Sequence, residues 1–184
     1  MKTKSIKTIL ADIKTIVAII ILILILLIKL YIGPSEITLG PRTKTSGCQV
    51  SRALQDQACT PGAIIKGVTR EQICATGYSK EVRDVSEEEK EDVFREYGIK
   101  HHKPGQYEVD HLVSLELGGS NGIANLWPEA AKPYPGYHEK DRVENYLHRQ
   151  VCNGNISLEE AQRQIANDWL SIYERMPETA RRKE

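Results

Sequence analysis

Four residues carry side chains that could do chemistry together: the adjacent pair Asp110 and His111, then Asn125, then His138. A carboxylate and an imidazole can hold one divalent cation, and a second imidazole, kept off the metal, can deprotonate a water. An Asn amide can fix that imidazole's tautomer and direction. These are the parts that metal-assisted phosphodiester cleavage needs. Each residue also has a plainer use. His111 could be a packed core histidine, Asp110 a turn cap and Asn125 a fastener of the Gly-rich loop through side-chain to backbone bonds. His138 could simply be exposed at a helix start.

The elements that must position them follow from pattern. Tyr107, Val109, His111, Val113, Leu115 and Leu117 alternate, which predicts a strand over 107–117. Gly118, Gly119, Ser120, Asn121 and Gly122 predict a turn. A returning strand over 123–127 is expected to stop at Pro128, and Pro133 and Pro135 mark a loop. The stripe Val143, Leu147, Val151 predicts a helix over 137–151, with His138 in its first turn. Ser86 with Glu89 and Ser157 with Glu160 are capping-box pairs that open two further helices. The second carries Leu158, Ala161, Ile165, Trp169, Ile172 and Met176 on one face, so Trp169 and Tyr173 are expected to pack and not to stack on bases. His101 and His102 fall in a loop, and His148 is expected to be exposed. The expected class is α+β.

The order Asp-His, Asn, His, set in the segment 107–119 and in Asn125-Leu126-Trp127-Pro128, resembles the HNH nucleases, a family built on a ββα-metal motif. The resemblance implies a hairpin-helix core packed by flanking helices. It implies Asp110 and His138 as metal ligands, His111 as general base and Asn125 as its orienter. A wider likeness to a group of bacterial HNH-like proteins runs over roughly residues 59–175, through Thr60-Pro61-Gly62-Ala63, Ile73-Cys74, Gly77-Tyr78 and Glu159-Glu160-Ala161-Gln162. One carboxylate plus one imidazole suits Mg²⁺ or Mn²⁺, with Zn²⁺ or Ni²⁺ able to bind. Lys140 or Arg142 is the candidate for holding a substrate phosphate. The implied partner is nucleic acid, DNA ahead of RNA.

Cys48, Cys59, Cys74 and Cys152 allow three pairings, and without a Cys-x-x-Cys pair zinc is disfavoured. Cys59–Cys74 is the preferred bridge, because both lie in the lead segment of the resemblance; Cys48 and Cys152 then pair or stay free.

The N-terminus sets the expected location. Residues 16–28 are uniformly apolar, and Lys29, Leu30, Tyr31 and Ile32 extend the run. Lys2, Lys4, Lys7 and Lys14 precede it against Asp12 alone, which predicts a single-pass signal-anchor with the rest outside the cytoplasmic membrane. Secretion after signal cleavage is the alternative. Residues 1–32 hold five lysines and one acid, leaving 20 basic against 24 acidic residues, net −4, in the remainder. That charge counts against tight non-specific nucleic-acid binding. The expected division is a cytoplasmic N-terminus over 1–15, a transmembrane helix over 16–32, a linker over 33–47, a Cys-containing lead segment over 48–100, the HNH-like core with its C-terminal helix over 101–176, and a tail over 177–184. The expected function is a membrane-anchored, metal-dependent endonuclease. The alternative is a catalytically inactive HNH-like interaction module at the cell surface.

Overall fold

The computed structural model describes residues 14–24 and 36–182. A first helix, α1, covers 14–24 and belongs to a unit separate from the one that starts at Glu36. The expected membrane-spanning helix over 16–32 is corrected. Among the described residues no helix is long and apolar enough to cross a membrane. Residues 25–32 of that expected span, and most of the expected 1–15 segment, lie outside the described residues.

The second unit is α+β. Strand β1 (Glu36–Thr38) pairs antiparallel with β2 (Ala63–Ile65), and β3 (Tyr107–His111) pairs antiparallel with β4 (Leu126–Ala130). Two short helices, α2 (Arg70–Ile73) and α3 (Tyr78–Val82), lead to α4 (Glu87–Glu96). After β4 come α5 (Tyr137–Cys152), α6 (Leu158–Arg175) and the short α7 (Glu178–Arg181). The expected linker over 33–47 therefore carries a strand, and Arg42 is tied to Glu96 at 2.5 Å and to the Cys59 carbonyl at 3.0 Å. The expected tail carries α7, whose Arg181 carbonyl accepts from Arg142 Nη1 at 2.8 Å.

The caps act as their sequences dictate. Ser86 and Glu89 satisfy each other's backbone N–H at the start of α4, and Ser157 caps α6. Asp168 breaks the helical angles inside α6, and its carboxylate re-caps the second half through Ser171 N at 3.0 Å and Ser171 Oγ at 2.6 Å. Val143, Leu147 and Val151 of α5 meet Ala161, Ile165, Trp169 and Ile172 of α6 in one core with Leu112, Val113, Leu117 and Trp127. Trp169 donates to the Ala53 carbonyl at 2.9 Å, a packing role. Burying side chains of this size is the main stabilising term, about 1.5–3 kcal/mol each.

Two disulfides fasten the unit: Cys48–Cys59, and Cys74–Cys152 across 78 residues. The expected Cys59–Cys74 bridge is corrected. Cys74 caps the C-terminus of α2, which delivers it to the last residue of α5 rather than to Cys59.

The long strand expected over 107–117 ends at His111. Leu112, Val113, Leu115 and Leu117 are all buried, so their spacing is not the in-and-out of a strand. A 3-10 turn at Leu115–Leu117, capped by Ser114, replaces it. The return strand starts late, at Leu126, and runs through Pro128 opposite Val109. In a two-stranded sheet every strand is an edge, and an edge tolerates the missing N–H of proline.

Candidate active site

Hairpin β3–β4 followed by α5 places Asp110, His111 and Lys140 around one junction. Successive strand residues face opposite sides of a sheet. In the register, Asp110 pairs with Trp127 and Glu108 with Glu129, so these share a face, while His111 pairs with Leu126 on the other.

On the Asp110 face the dominant group is Lys140. Its side chain is 0 % exposed, and its Nζ lies 2.6 Å from Asp110 Oδ2 and 2.7 Å from the His111 carbonyl oxygen, with Glu144 Oε1 as a third acceptor. All three ammonium protons are thereby engaged. Burial disfavours charge on Lys140, but Asp110, Glu144 and Glu129 together hold its pKa above the ordinary lysine value. Burial also works against the Asp110 carboxylate, yet Lys140, aided by His111, holds its pKa below the usual range. Burial, with Asp110 and Asp141 adding repulsion against the pull of Lys140, pushes Glu144 up to about 7. Glu129, also buried, is raised well above the carboxylate range by burial and by Asp110 and Glu144. One ammonium thus faces Asp110, whose pKa is lowered, and two carboxyls whose pKa values burial raises.

On the other face His111 is 2 % exposed. Its Nε2 lies 3.0 Å from Asn121 Oδ1. The same Asn121 donates from Nδ2 to the Val82 carbonyl at 2.7 Å, and its Oδ1 accepts from Asp84 N at 3.2 Å. The amide orientation is therefore fixed by backbone partners, so Oδ1 is the acceptor and His111 Nε2 must donate. In the neutral imidazole the lone pair then sits on Nδ1, a buried atom with no partner. Burial pushes the His111 pKa down, Arg83 and Lys140 assist, and Asp110 and the Asn121 bond oppose. The ring is neutral near pH 7.

The expected roles separate here. Asn125 does not orient His111, which is a correction. Its Oδ1 accepts from Ala63 N at 3.2 Å and Val113 N at 2.9 Å, and its Nδ2 donates to the Val113 carbonyl at 3.0 Å and the Ser120 carbonyl at 2.8 Å. It is a latch for the loop between β3 and β4. Gly119 makes room for it, since a Cβ there would stand 2.9 Å from Asn125 Nδ2 and 1.8 Å from the Val113 carbonyl oxygen.

His138 is not joined to Asp110. It is exposed, its ring lies 4.3 Å from that of Tyr137, and it lines a cleft of about 390 Å³ with Asp141, Arg142, Arg149 and Arg182. Two helical steps rotate roughly 200°, so His138 and Lys140 point to different sides of α5, and it is Lys140 that meets Asp110. In place of a cation shared with His138, the Asp110 oxygen Oδ2 holds the Lys140 ammonium.

Lys140 is likewise corrected as a phosphate holder, being wholly interior. Arg142 lines the cleft but pairs with Glu139 at 3.5 Å. His102 stacks on Phe94 at 4.3 Å and so has a packing role. His148 is half-buried, with Nε2 3.0 Å from the Ile73 carbonyl oxygen and 3.4 Å from Cys152 Sγ. Cys74, His148 and Cys152 are the one group of three or more possible metal ligands among the described residues, with both sulfurs joined in the disulfide.

Pattern held a clue to Lys140, which sits on the stripe of Val143, Leu147 and Val151, where a charge must be paired. Asn121 carried no comparable signal, because its partners at Val82 and Asp84 are remote in sequence. The chain matches no known family model, no curated protein and no solved structure.

Proposed function

We propose that this domain hydrolyses phosphodiester bonds of nucleic acid, with DNA as the preferred substrate and His111 as general base. The observation that carries the reading is the state of His111: neutral, its Nε2 proton committed to Asn121, its Nδ1 acceptor buried and unsatisfied. With the Nε2 proton committed to Asn121, the lone pair of the neutral ring lies on Nδ1, the atom that can take a proton from an attacking water. The oxygen–phosphorus bond forms, the bond from phosphorus to the leaving oxygen breaks, and the leaving oxygen takes a proton from solvent. Asp110 and Lys140 fix the hairpin against α5 and set the field at the ring. No step runs through a metal on Asp110 and His138.

Both disulfides suit an oxidising compartment, which supports an exported site of action. A second reading, a binding module without chemistry, is favoured by one observation, the closed network around Lys140. Nicking of supercoiled plasmid by the wild type, set against His111→Ala, separates the two.

A further inference from the structure

The two disulfides differ in their surroundings. Cys48 and Cys59 are 4 % and 0 % exposed, inside the core. Cys74 and Cys152 are not buried. A reductant in solution therefore reaches the Cys74–Cys152 bridge first. Beside it stands His148, one helical turn before Cys152 on the same face of α5. Its Nε2 lies 3.4 Å from Cys152 Sγ and 3.0 Å from the carbonyl oxygen of Ile73, the residue before Cys74. One ring nitrogen of His148 and the two sulfurs all lie within 4.8 Å of one another.

That spacing is close to what a zinc ion needs. Bonds of about 2.3 Å to sulfur and about 2.0–2.1 Å to nitrogen put tetrahedral S and N ligands roughly 3.5 Å apart, and two S ligands roughly 3.8 Å apart. His148 Nε2 and Cys152 Sγ already stand at the first of these separations. The two sulfurs, on Cα atoms 5.8 Å apart, need only part from bonding distance. The charges also match. Two thiolates neutralise a divalent cation, and the last turn of α5 directs its carbonyl dipoles toward positive charge. The sequence carries no Cys-x-x-Cys signal for such a site, because Cys74 arrives on α2, 78 residues before Cys152.

We propose that Cys74, His148 and Cys152 form a zinc site when their disulfide is reduced, so that the bridge and the metal exclude each other. A dithiol reductant breaks the S–S bond. Two electrons and two protons pass to the cysteine sulfurs, and the reductant closes into its own disulfide. Zn²⁺ then displaces the two thiol protons to solvent. The His148 proton sits on Nδ1, and Nε2 gives its lone pair to the ion in place of its bond to the Ile73 carbonyl. Three protein ligands leave the fourth position to water. The ion ties α2 to α5 where the disulfide did. This site is independent of the hydrolase reading.

Co²⁺ serves as the probe, because thiolate bonds to it give a charge-transfer absorption that Zn²⁺ lacks. The full chain is treated with a dithiol, the dithiol is removed without air, and alkylation with mass spectrometry reports which cysteines are free. Co²⁺ is then titrated into the reduced wild type, the oxidised wild type, reduced His148→Ala, and the reduced wild type in urea. The reduced wild type should bind one Co²⁺ per chain with the thiolate band, and Zn²⁺ should displace it. The oxidised and the urea-unfolded samples should show no band. His148→Ala should bind more weakly by at least roughly tenfold, since even the loss of a group that only supports a ligand costs about that much. Absence of the band in the reduced wild type overturns the proposal. So does an equal affinity in His148→Ala, or a band of the same strength in urea. Cys48 and Cys59 found free while Cys74 and Cys152 remain bridged also overturns it.

Discussion

The fully buried Lys140 Nζ lies 2.6 Å from Oδ2 of the half-buried Asp110, where a shared metal ion was expected from sequence. The pair locks α5 onto the β3–β4 hairpin. Removing one partner of a buried ion pair strands the other, at a cost of about 3–5 kcal/mol. Lys140→Met should therefore lower unfolding stability by that amount, measured by urea denaturation. The double variant Lys140→Met with Asp110→Asn should recover part of it, because no stranded charge remains at Asp110. A Lys140→Met protein as stable as the wild type contradicts the structural role.

The cluster also predicts a pH dependence. Burial raises Glu144 from its ordinary value to about 7. A raised folded-state pKa means the folded protein holds more protons than the unfolded chain. The Glu144 contribution is thus fully present below the unfolded value near 4.5 and is lost as pH rises through about 7. Asp110, with a lowered pKa, loses its contribution only in stronger acid. His111 has the opposite sign within the neutral range: its lowered pKa favours folding above the unfolded value and is lost as pH falls. The difference in Tm between wild type and Glu144→Gln isolates Glu144. From pH 5 to 8.5 the wild type should lose stability relative to the variant. A flat difference across that window rules the assignment out.

The two disulfides should differ in worth. Loop-closure entropy gives about 4.5 kcal/mol for a bridge across the 78-residue separation of Cys74–Cys152 and about 2.8 kcal/mol for the 11-residue separation of Cys48–Cys59. Replacing each pair with alanines and measuring urea unfolding tests the order. The larger loss should follow Cys74 and Cys152.

The cleft along α5 makes a prediction about salt. His138, Arg142 and Arg149 line it together with Arg182. If nucleic-acid backbone runs there, each lost phosphate contact lowers the slope of log affinity against log salt by roughly 0.9. Arg149→Ala with Arg182→Ala should reduce that slope by roughly 2 in DNA-binding anisotropy, measured in the His111→Ala background. An unchanged slope places the backbone elsewhere.

Local signals in the sequence were legible where local chemistry decides. Ser157 capping α6 and the stripe from Ala161 to Ile172 follow from hydrogen-bond need and helical period. The hairpin was legible through its Gly-rich turn, but its edges were not. Alternation continued past His111 because Val113, Leu115 and Leu117 are apolar for another reason, the core of α5 and α6. At the site, spacing brought His111 forward but could not separate Asn125 from Asn121. Only tertiary placement of Val82 and Asp84 decides which amide reaches the imidazole. His138 had the right type and order, and the helical phase of α5 turns it away from Asp110.

The most direct measurement is nicking of supercoiled plasmid by the folded unit from Glu36 onward, wild type against His111→Ala, across pH 5 to 9 and with either Mg²⁺ or a chelator. Wild type should nick, with a rate that is already on its plateau near pH 7, because the imidazole titrates below its ordinary range. His111→Ala should lose at least about 10²-fold while still unfolding in one cooperative urea transition, at a lower midpoint because a buried, hydrogen-bonded ring is removed. Absence of wild-type cleavage under every condition, or equal cleavage by His111→Ala, contradicts the assignment of His111 as the base and leaves the binding module as the function.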